Sequence, residues 1–179
     1  MFCVTLLKSL LFNLSFLGTS VFLIKTTKIG IPDIRKYKEK PLKQIAVSVV
    51  ITVAALVFYA LKIIIDGQEF SVFAFLGYSF ADAAEFVVMQ LLYSVTEELF
   101  MRCWLLRFTE YISGSKWIGV AVSSLLFGLA HWVLGGSFEK FVYISLIGFV
   151  WGFSLVKVKG CTIYSLMLSH FLYDLAVAS

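Results

Sequence analysis

Long apolar stretches separated by short polar breaks run through the whole sequence. The stretches cover about residues 3–24, 45–65, 70–112, 117–134, 139–156 and 161–177. Most of them approach the roughly 20 residues that a helix needs to cross the hydrocarbon core of a bilayer. A membrane barrel would show alternating apolar and polar positions instead. The pattern predicts an all-α, polytopic transmembrane bundle of about six membrane helices.

The third stretch is too long for a single simple crossing. Asp82 and Glu85 interrupt it near its beginning. We expect it to divide there into a short interfacial piece and a long helix over about residues 84–112. On this pattern residues 1–69 form N-terminal membrane helices with a basic loop, and residues 70–179 form the membrane core that carries the candidate chemistry.

Composition agrees with a membrane protein, because 60% of the residues are apolar and only 15% are charged. Membrane lipid is therefore the expected surrounding of most of the chain. One polar segment concentrates the basic residues Lys25, Lys28, Arg35, Lys36, Lys38, Lys40 and Lys43. Such a segment is typical of a cytoplasmic loop beside anionic headgroups, and a nucleic-acid partner is not indicated.

Further cations lie in the turns near Arg107 to Lys116 and at Lys157 and Lys159. The positive-inside rule places these turns and the basic loop in the cytoplasm. Strict alternation of the helices then puts both termini outside. The three cysteines, Cys3, Cys103 and Cys161, are scattered and predict neither a disulfide framework nor a thiolate zinc site.

Several ionisable residues fall inside the last four predicted helices: Glu97, Glu98, Arg102, His131, His170 and Asp174. Each costs at least a few kcal/mol at mid-bilayer unless it is paired or faces water, so such residues are candidates for function. At 1.5 Å per residue, Glu97 and His131 lie roughly 22 Å from the cytoplasmic turns and His170 roughly 15 Å. All three can therefore share one level, although these depths leave open which membrane face is nearer.

Spacing of four residues places Glu98 with Arg102, Phe127 with His131, and His170 with Asp174 on common helix faces. Glu98 and Arg102 are expected to form a buried ion pair, which leaves Glu97 free for chemistry. Phe127 is expected in the core or in a cavity wall. Asp174 either accepts the His170 ring proton or points into the cavity itself. The four tryptophans are expected to anchor or pack: Trp104, Trp117, Trp132 and Trp151.

Three motifs lie in order on successive helices: Glu-Glu-x-x-x-Arg at 97–102, Phe-x-x-x-His at 127–131, and His-x-x-x-Asp at 170–174. Together they resemble the motif set of the CPBP family. That family contains the CaaX-type prenyl endopeptidases and the bacteriocin-processing or Abi proteins. The resemblance covers roughly residues 84–177.

The resemblance implies a helical intramembrane protease whose site opens to the cytoplasm. Glu97 would be the general base that activates water, with help from His131. His170 and Asp174 would bind the developing oxyanion, and Glu98, Arg102 and Phe127 would support the site. An ionised Asp174 cannot donate to an oxyanion, so it must be protonated, orient His170 or bind a metal.

Zinc chemistry stays open at this point, because Glu97, His131 and His170 are also the ligand types of many catalytic zinc sites. The usual His-Glu-x-x-His helix is absent, which favours a glutamate mechanism without a metal cofactor. The expected substrate is a membrane-associated or lipidated peptide, such as a CaaX-type C-terminus or a bacteriocin or pheromone precursor. The expected location is a bacterial plasma membrane. The alternatives are a non-catalytic immunity or scaffold protein of the same family, and a proton-coupled transporter, for which no inverted repeat is visible.

Overall fold

The computed structural model describes residues 2–34, 41–67 and 72–177. Within these ranges the chain forms helices and turns and no strand, so the predicted all-α fold is confirmed. Four cations of the predicted basic loop, Arg35, Lys36, Lys38 and Lys40, lie outside the described residues. The helices are α1 Phe2–Thr27, α2 Ile31–Ile34, α3 Pro41–Asp66, α4 Phe80–Glu98, α5 Arg107–Ser113, α6 Lys116–Val133, α7 Phe138–Lys157 and α8 Ile163–Val177.

The third apolar stretch is divided as the sequence predicts, but a few residues earlier. A short 3₁₀ turn, Ala74–Gly77, precedes the long helix. Helix α4 begins at Phe80 because the Ser79 side chain accepts a hydrogen bond from the backbone N–H of Asp82 and donates one to its carboxylate. This is N-terminal capping of the kind that a Ser followed three residues later by an acidic residue favours.

Helices α4 and α5 are joined without a break by a π-helical segment, Leu99–Leu106. The wider hydrogen-bond spacing of a π-helix is rare and occurs mainly at functional sites. Here it begins directly after Glu98 and includes Arg102. Cys103, in the same segment, donates its S–H to the carbonyl of Gly30 at 3.3 Å. Gly30 has φ +85, and a Cβ there would overlap the Cys103 carbonyl, so glycine is required at this close approach.

Large apolar side chains point outward from most of the helices, for example Phe22 at 64% exposure, Ile65 at 82% and Val133 at 76%. In water such surfaces would aggregate, but in a bilayer they face lipid. Among the described residues, four helical stretches are long and apolar enough to cross a membrane: Ser9–Thr27, Pro41–Asp66, Lys116–Val133 and Phe138–Lys157. The chain is an integral membrane protein.

The remaining two long units, α4 with its continuation to Ser113 and the 15-residue α8, carry most of the buried ionisable groups. Helix α8 packs between α3 and α4, and α6 packs against α7 and the π-helical segment. An interior cluster that includes Phe127, Trp151 and Tyr173 fills the space between them. This packing brings the three motif-bearing helices and α7 around one centre.

Candidate active site

The carboxylate of Glu98 and the guanidinium of Arg102 form the predicted buried ion pair. Both side chains are fully buried, and Arg102 Nε lies 3.6 Å from Glu98 Oε2. Arg102 also donates from one terminal nitrogen to the carbonyl of Gly148 at 3.0 Å and lies over the ring of Phe127, 4.6 Å from its centroid. Arg102 therefore ties the π-helical segment to α6 and α7 and compensates the charge of Glu98.

The imidazole of His170 lies among three carboxylates. Its Nδ1 is 3.1 Å from Glu98 Oε1, and its Nε2 is 3.4 Å from Asp174 Oδ2 and 3.8 Å from Glu97 Oε2. Carboxylate oxygens accept, so the contact with Glu98 is a hydrogen bond only if Nδ1 carries a proton. The sequence anticipated the Asp174 neighbour, whereas the contact with Glu98 orients the ring from the opposite side.

His131 is oriented by its own helix. Its Nδ1 lies 2.9 Å from the backbone carbonyl of Phe127, which can only accept. Nδ1 is therefore the protonated nitrogen, and in the neutral ring Nε2 carries a lone pair. The Phe127 ring meets the His131 ring edge to face, with centroids 4.8 Å apart. Phe127, 2% exposed, is the core and wall residue that the sequence predicted.

Glu97 and His131 line a largely apolar cavity of about 910 Å³ between α1, α4 and α6. Glu97 keeps 21% of its side chain exposed, whereas Glu98 is completely buried, with His170 at hydrogen-bond distance and Arg102 at ion-pair distance. Of the two adjacent carboxylates, only that of Glu97 is therefore accessible to a substrate or to a reacting water. Phe16, Phe100 and Leu126 are among the apolar residues of the cavity wall.

A second, more polar cavity of about 540 Å³ reaches the same centre from the ends of α3 and α8. It is lined by His131 and Asp174 and by Lys62, Lys140 and Tyr143. His131 therefore borders both cavities, one apolar and one polar. A site of this form can hold the apolar part of a substrate on one side and admit water on the other.

Helix α7 contributes more than the sequence indicated, chiefly through Trp151. This ring, 1% exposed, stacks on His170 and donates its indole N–H to Ser169 Oγ at 3.2 Å. Thr52 on α3 contacts the same Ser169 hydroxyl. A tryptophan well inside a membrane helix, away from the interface where tryptophan is enriched, was the signal that could have identified this role.

The hydroxyl groups of Tyr143 and Tyr173 contact each other beside the polar cavity. No motif in the sequence pointed to them, because two tyrosines 30 residues apart have no helical relationship. Tyr173 is buried next to Asp174, and Tyr143 lies in the cavity wall. The pair supplies neutral hydroxyl donors close to the predicted site.

A zinc site was the alternative use of Glu97, His131 and His170. In the part of the chain that the structure describes, no group of three or more His, Cys, Asp or Glu side chains is arranged to hold a metal ion. Both histidines direct Nδ1 to a protein acceptor, Phe127 and Glu98 respectively, which leaves Nε2 as the nitrogen available to a ligand. The ligand types of a zinc site are therefore present at this centre.

Comparison with known proteins adds the family. The family model described as Type II CAAX prenyl endopeptidase Rce1-like matches residues 79–176. That range includes α4 through nearly all of α8 and every motif residue of the site. No curated protein and no solved structure matches the sequence significantly. Because the matched range is more than half of the chain and contains the whole site, the chain belongs to the Type II CAAX prenyl endopeptidase Rce1-like family of CAAX-type membrane proteases.

Proposed function

We propose that this chain is an intramembrane endopeptidase in which Glu97 activates the water that attacks a peptide bond. The observation that carries the proposal is the different use of the two adjacent glutamates. Glu98 is buried and compensated by Arg102, whereas Glu97 borders the large apolar cavity with His131 in the same wall. A general base must be within reach of its substrate, and Glu97 has that access.

His131 assists on the water side of the reaction. Because its Nδ1 proton is donated to Phe127, its Nε2 is the nitrogen that can accept a proton or hold the water in place. Its position between the apolar and the polar cavity supports this role. The proton taken from water then has to reach the leaving amine, and Glu97 is the group that can carry it.

His170 and Asp174 form the electrophilic side of the proposed site. The Nε2 atom of His170 and the carboxylates of Asp174 and Glu97 are all acceptors unless one proton is held between them. With that proton on Nε2, His170 faces Asp174 before the substrate binds and donates to the oxyanion as it develops, while Glu98 orients the ring through Nδ1. This assignment answers the difficulty that an ionised Asp174 cannot itself donate.

The proposed substrate is a peptide with an apolar or lipidated segment, because the cavity beside Glu97 is walled mainly by apolar side chains. Charged peptides would lose their hydration there without finding partners. A CaaX-type C-terminus and a bacteriocin or pheromone precursor both satisfy this requirement. We propose a bacterial plasma membrane as its location.

The test is cleavage of quenched prenyl peptides and a peptide-precursor library by purified protein in detergent. Glu97→Gln keeps the shape of the side chain and removes the base, and we expect cleavage to fall about 10²–10⁴-fold. Glu85→Gln makes the same chemical change on the same helix, outside both cavities, and should cleave at the wild-type rate.

Two outcomes count against the proposal. One is Glu97→Gln cleaving as fast as the wild type. The other is a folded, monodisperse wild type that cleaves none of the peptides, which would favour a non-catalytic immunity or scaffold protein.

A further inference from the structure

We infer that the catalytic site of this chain opens on the face of the membrane opposite the cytoplasm. The topological part of this inference stands on the fold and the charges alone. Its consequence for substrates rests on the proposed peptidase function. The resemblance to the CPBP family led us to expect a cytoplasmic opening, so the inference reverses that expectation for this chain.

The directions of the helices follow from contacts along their lengths. Helix α3 runs parallel to α8, because Gln44 contacts Thr162 near the start of both helices and Thr52 contacts Ser169 further along. Helix α1 runs parallel to α4 and α5. Phe16 in α1 packs on Phe100, and further along both segments Asp33, just beyond α1, pairs with Arg107. The turns at 114–115, 134–137 and 158–162 reverse the chain between α5, α6, α7 and α8.

The bundle therefore has two distinct ends. The first, which we call the basic end, contains the chain between α1 and α3, the turn at 114–115 and the turn at 158–162. The second, which we call the mouth end, contains the last turn of α3, the first turn of α4, the turn at 134–137 and the last turn of α8.

The charges are divided unequally between these ends. Among the described residues the basic end carries the cations Lys25, Lys28, Lys43, Arg107, Lys116, Lys157 and Lys159, together with the acidic residues Asp33 and Glu110. The sequence adds four more cations and Glu39 in the segment 35–40, outside the described residues. The described part of the mouth end carries Lys62 and Lys140, together with the acidic residues Asp66, Asp82, Glu85 and Glu139, and the sequence adds Lys8 in α1. Lysine and arginine in short loops are retained in the cytoplasm, so the basic end is the cytoplasmic one.

Two residues of the site, His131 and Asp174, lie close to the mouth end, whereas Glu97 is reached deeper along the cavity, 17 residues after the first residue of α4. His131 is two residues before the last residue of α6, and Asp174 is three residues before the last residue of α8. At 1.5 Å per residue these positions are only about 3 Å and 4.5 Å from the helix ends. The polar cavity that reaches both residues is walled by Lys62, Ser137 and Lys140, all at the mouth end.

An apolar cavity of about 560 Å³ begins at the basic end, at Lys43 and Val158, but none of the site residues lines it. A fully buried apolar layer, Leu106, Val120 and Ile163, lies between the site and that end. Below it, Arg107 closes the cytoplasmic surface by donating to both carboxylate oxygens of Asp33 at 2.7 and 3.1 Å. The two cavities lined by His131, one of them shared with Glu97, include the mouth-end residues Leu134 and Lys140, so water and peptide enter from the mouth end or from the bilayer.

A site that opens outward selects among the substrate classes. A prenylated C-terminus made in the cytoplasm would lie on the closed side of the bundle. The site fits instead a peptide whose apolar segment lies in the membrane beside α1 and α6 and whose polar segment has been translocated. Secreted peptide precursors with a membrane-embedded leader have this chemistry.

The test is labelling of single cysteines in intact bacterial cells with a membrane-impermeant maleimide. The reporters are Glu139→Cys at the mouth end, in the first turn of α7, and Lys159→Cys at the basic end, two residues after the last residue of α7; both residues are exposed. The background is the chain without Cys3, Cys103 and Cys161. If that background does not fold, Cys103 and Cys161 are kept, because both are buried, and their own labelling is subtracted.

We expect Glu139→Cys to be labelled in intact cells and Lys159→Cys only after permeabilisation. The reverse pattern, or equal labelling of both reporters in intact cells, would overturn the inference. Labelling requires no peptidase activity, so its result is independent of the proposed function.

A second arm compares an impermeant quenched peptide added to right-side-out and to inverted membrane vesicles. We expect faster cleavage in the right-side-out vesicles, and faster cleavage in the inverted ones would contradict an outward opening. Absence of cleavage in both would count against the peptidase function, while the labelling result would still decide the topology.

Discussion

The indole of Trp151 stacks on the imidazole of His170, with ring centroids 4.0 Å apart and planes inclined by 29°. On its other edge the same imidazole is held by Glu98, which is itself held by Arg102. His170 is therefore fixed by an aromatic face and a carboxylate that come from different helices. Its free Nε2 atom consequently has a defined direction, toward Asp174 and Glu97.

Replacing Trp151 should reduce turnover by releasing the His170 ring. We expect Trp151→Ala to lower kcat about 10²-fold, because small misplacements of catalytic groups have effects of that size. KM should change less than kcat. Trp151→Phe keeps an aromatic face and loses the hydrogen bond to Ser169, so its kcat should lie between that of Trp151→Ala and that of the wild type. Steady-state kinetics below the unfolding temperature of each variant provides the measurement, and equal kcat for Trp151→Ala and the wild type would contradict the positioning role.

Breaking the Glu98–Arg102 pair should destabilise the fold strongly. Either Glu98→Gln or Arg102→Met leaves an uncompensated buried charge, which costs about 3–5 kcal/mol of unfolding free energy. The double variant removes both charges and should therefore lose less stability than the sum of the single variants. Thermal unfolding in detergent measures the coupling. Strict additivity would show that the two groups do not interact.

Gly148 should not tolerate even a methyl group. A Cβ at this position would lie 3.1 Å from an Arg102 terminal nitrogen and 3.1 Å from a Phe127 ring carbon. We expect Gly148→Ala to cost about 1–3 kcal/mol through overpacking. Gly18→Ala on α1 is the matched control, because nothing lies within 4 Å of a Cβ there. Its stability should stay equal to the wild type or rise by up to about 1 kcal/mol through helix propensity.

Removing metal ions should leave the peptidase activity unchanged. The expectation follows from the proposed mechanism, in which the carboxylate of Glu97 itself activates the water. Protein incubated with an excess of a strong chelator should cleave its peptide at the untreated rate, and elemental analysis should find well below one metal per chain. Loss of activity with the chelator and its return with zinc would instead establish the zinc mechanism.

Much of the site could be predicted because ionisable residues are so unusual in apolar helices. Glu97, His131 and His170 were candidates because they are ionisable residues inside apolar stretches at similar depths, and the spacing of Glu98 and Arg102 predicted their ion pair. Helix α7 could not be recognised in the same way. Its contribution at Gly148 is a backbone carbonyl, which every residue has, and Trp151 resembles an ordinary packing residue until its neighbour is known.

The start of α4 and the opening of the site illustrate two other limits. The Ser79 and Asp82 cap was present in the sequence, but the charges of Asp82 and Glu85 drew the predicted boundary a few residues too far along. The opening depended on where His131 and Asp174 lie relative to the ends of their helices. Helix ends are set by local capping and turns, so depth estimates from apolar stretches alone could not show on which membrane face the site opens.

The π-helical segment Leu99–Leu106 separates the long helix into two halves whose rotational phases are set independently. The first half turns Glu97 and Glu98 toward α8, and the second half turns Arg107 toward Asp33 at the cytoplasmic surface. In a regular α-helix one residue corresponds to a rotation of about 100°. Deleting a single residue within the segment would therefore rotate one half of the helix relative to the other. Either Glu97 and Glu98 would lose their contacts with α8, or Arg107 would lose its contact with Asp33. The sequence of this segment is thus constrained by its length as strictly as by its side chains.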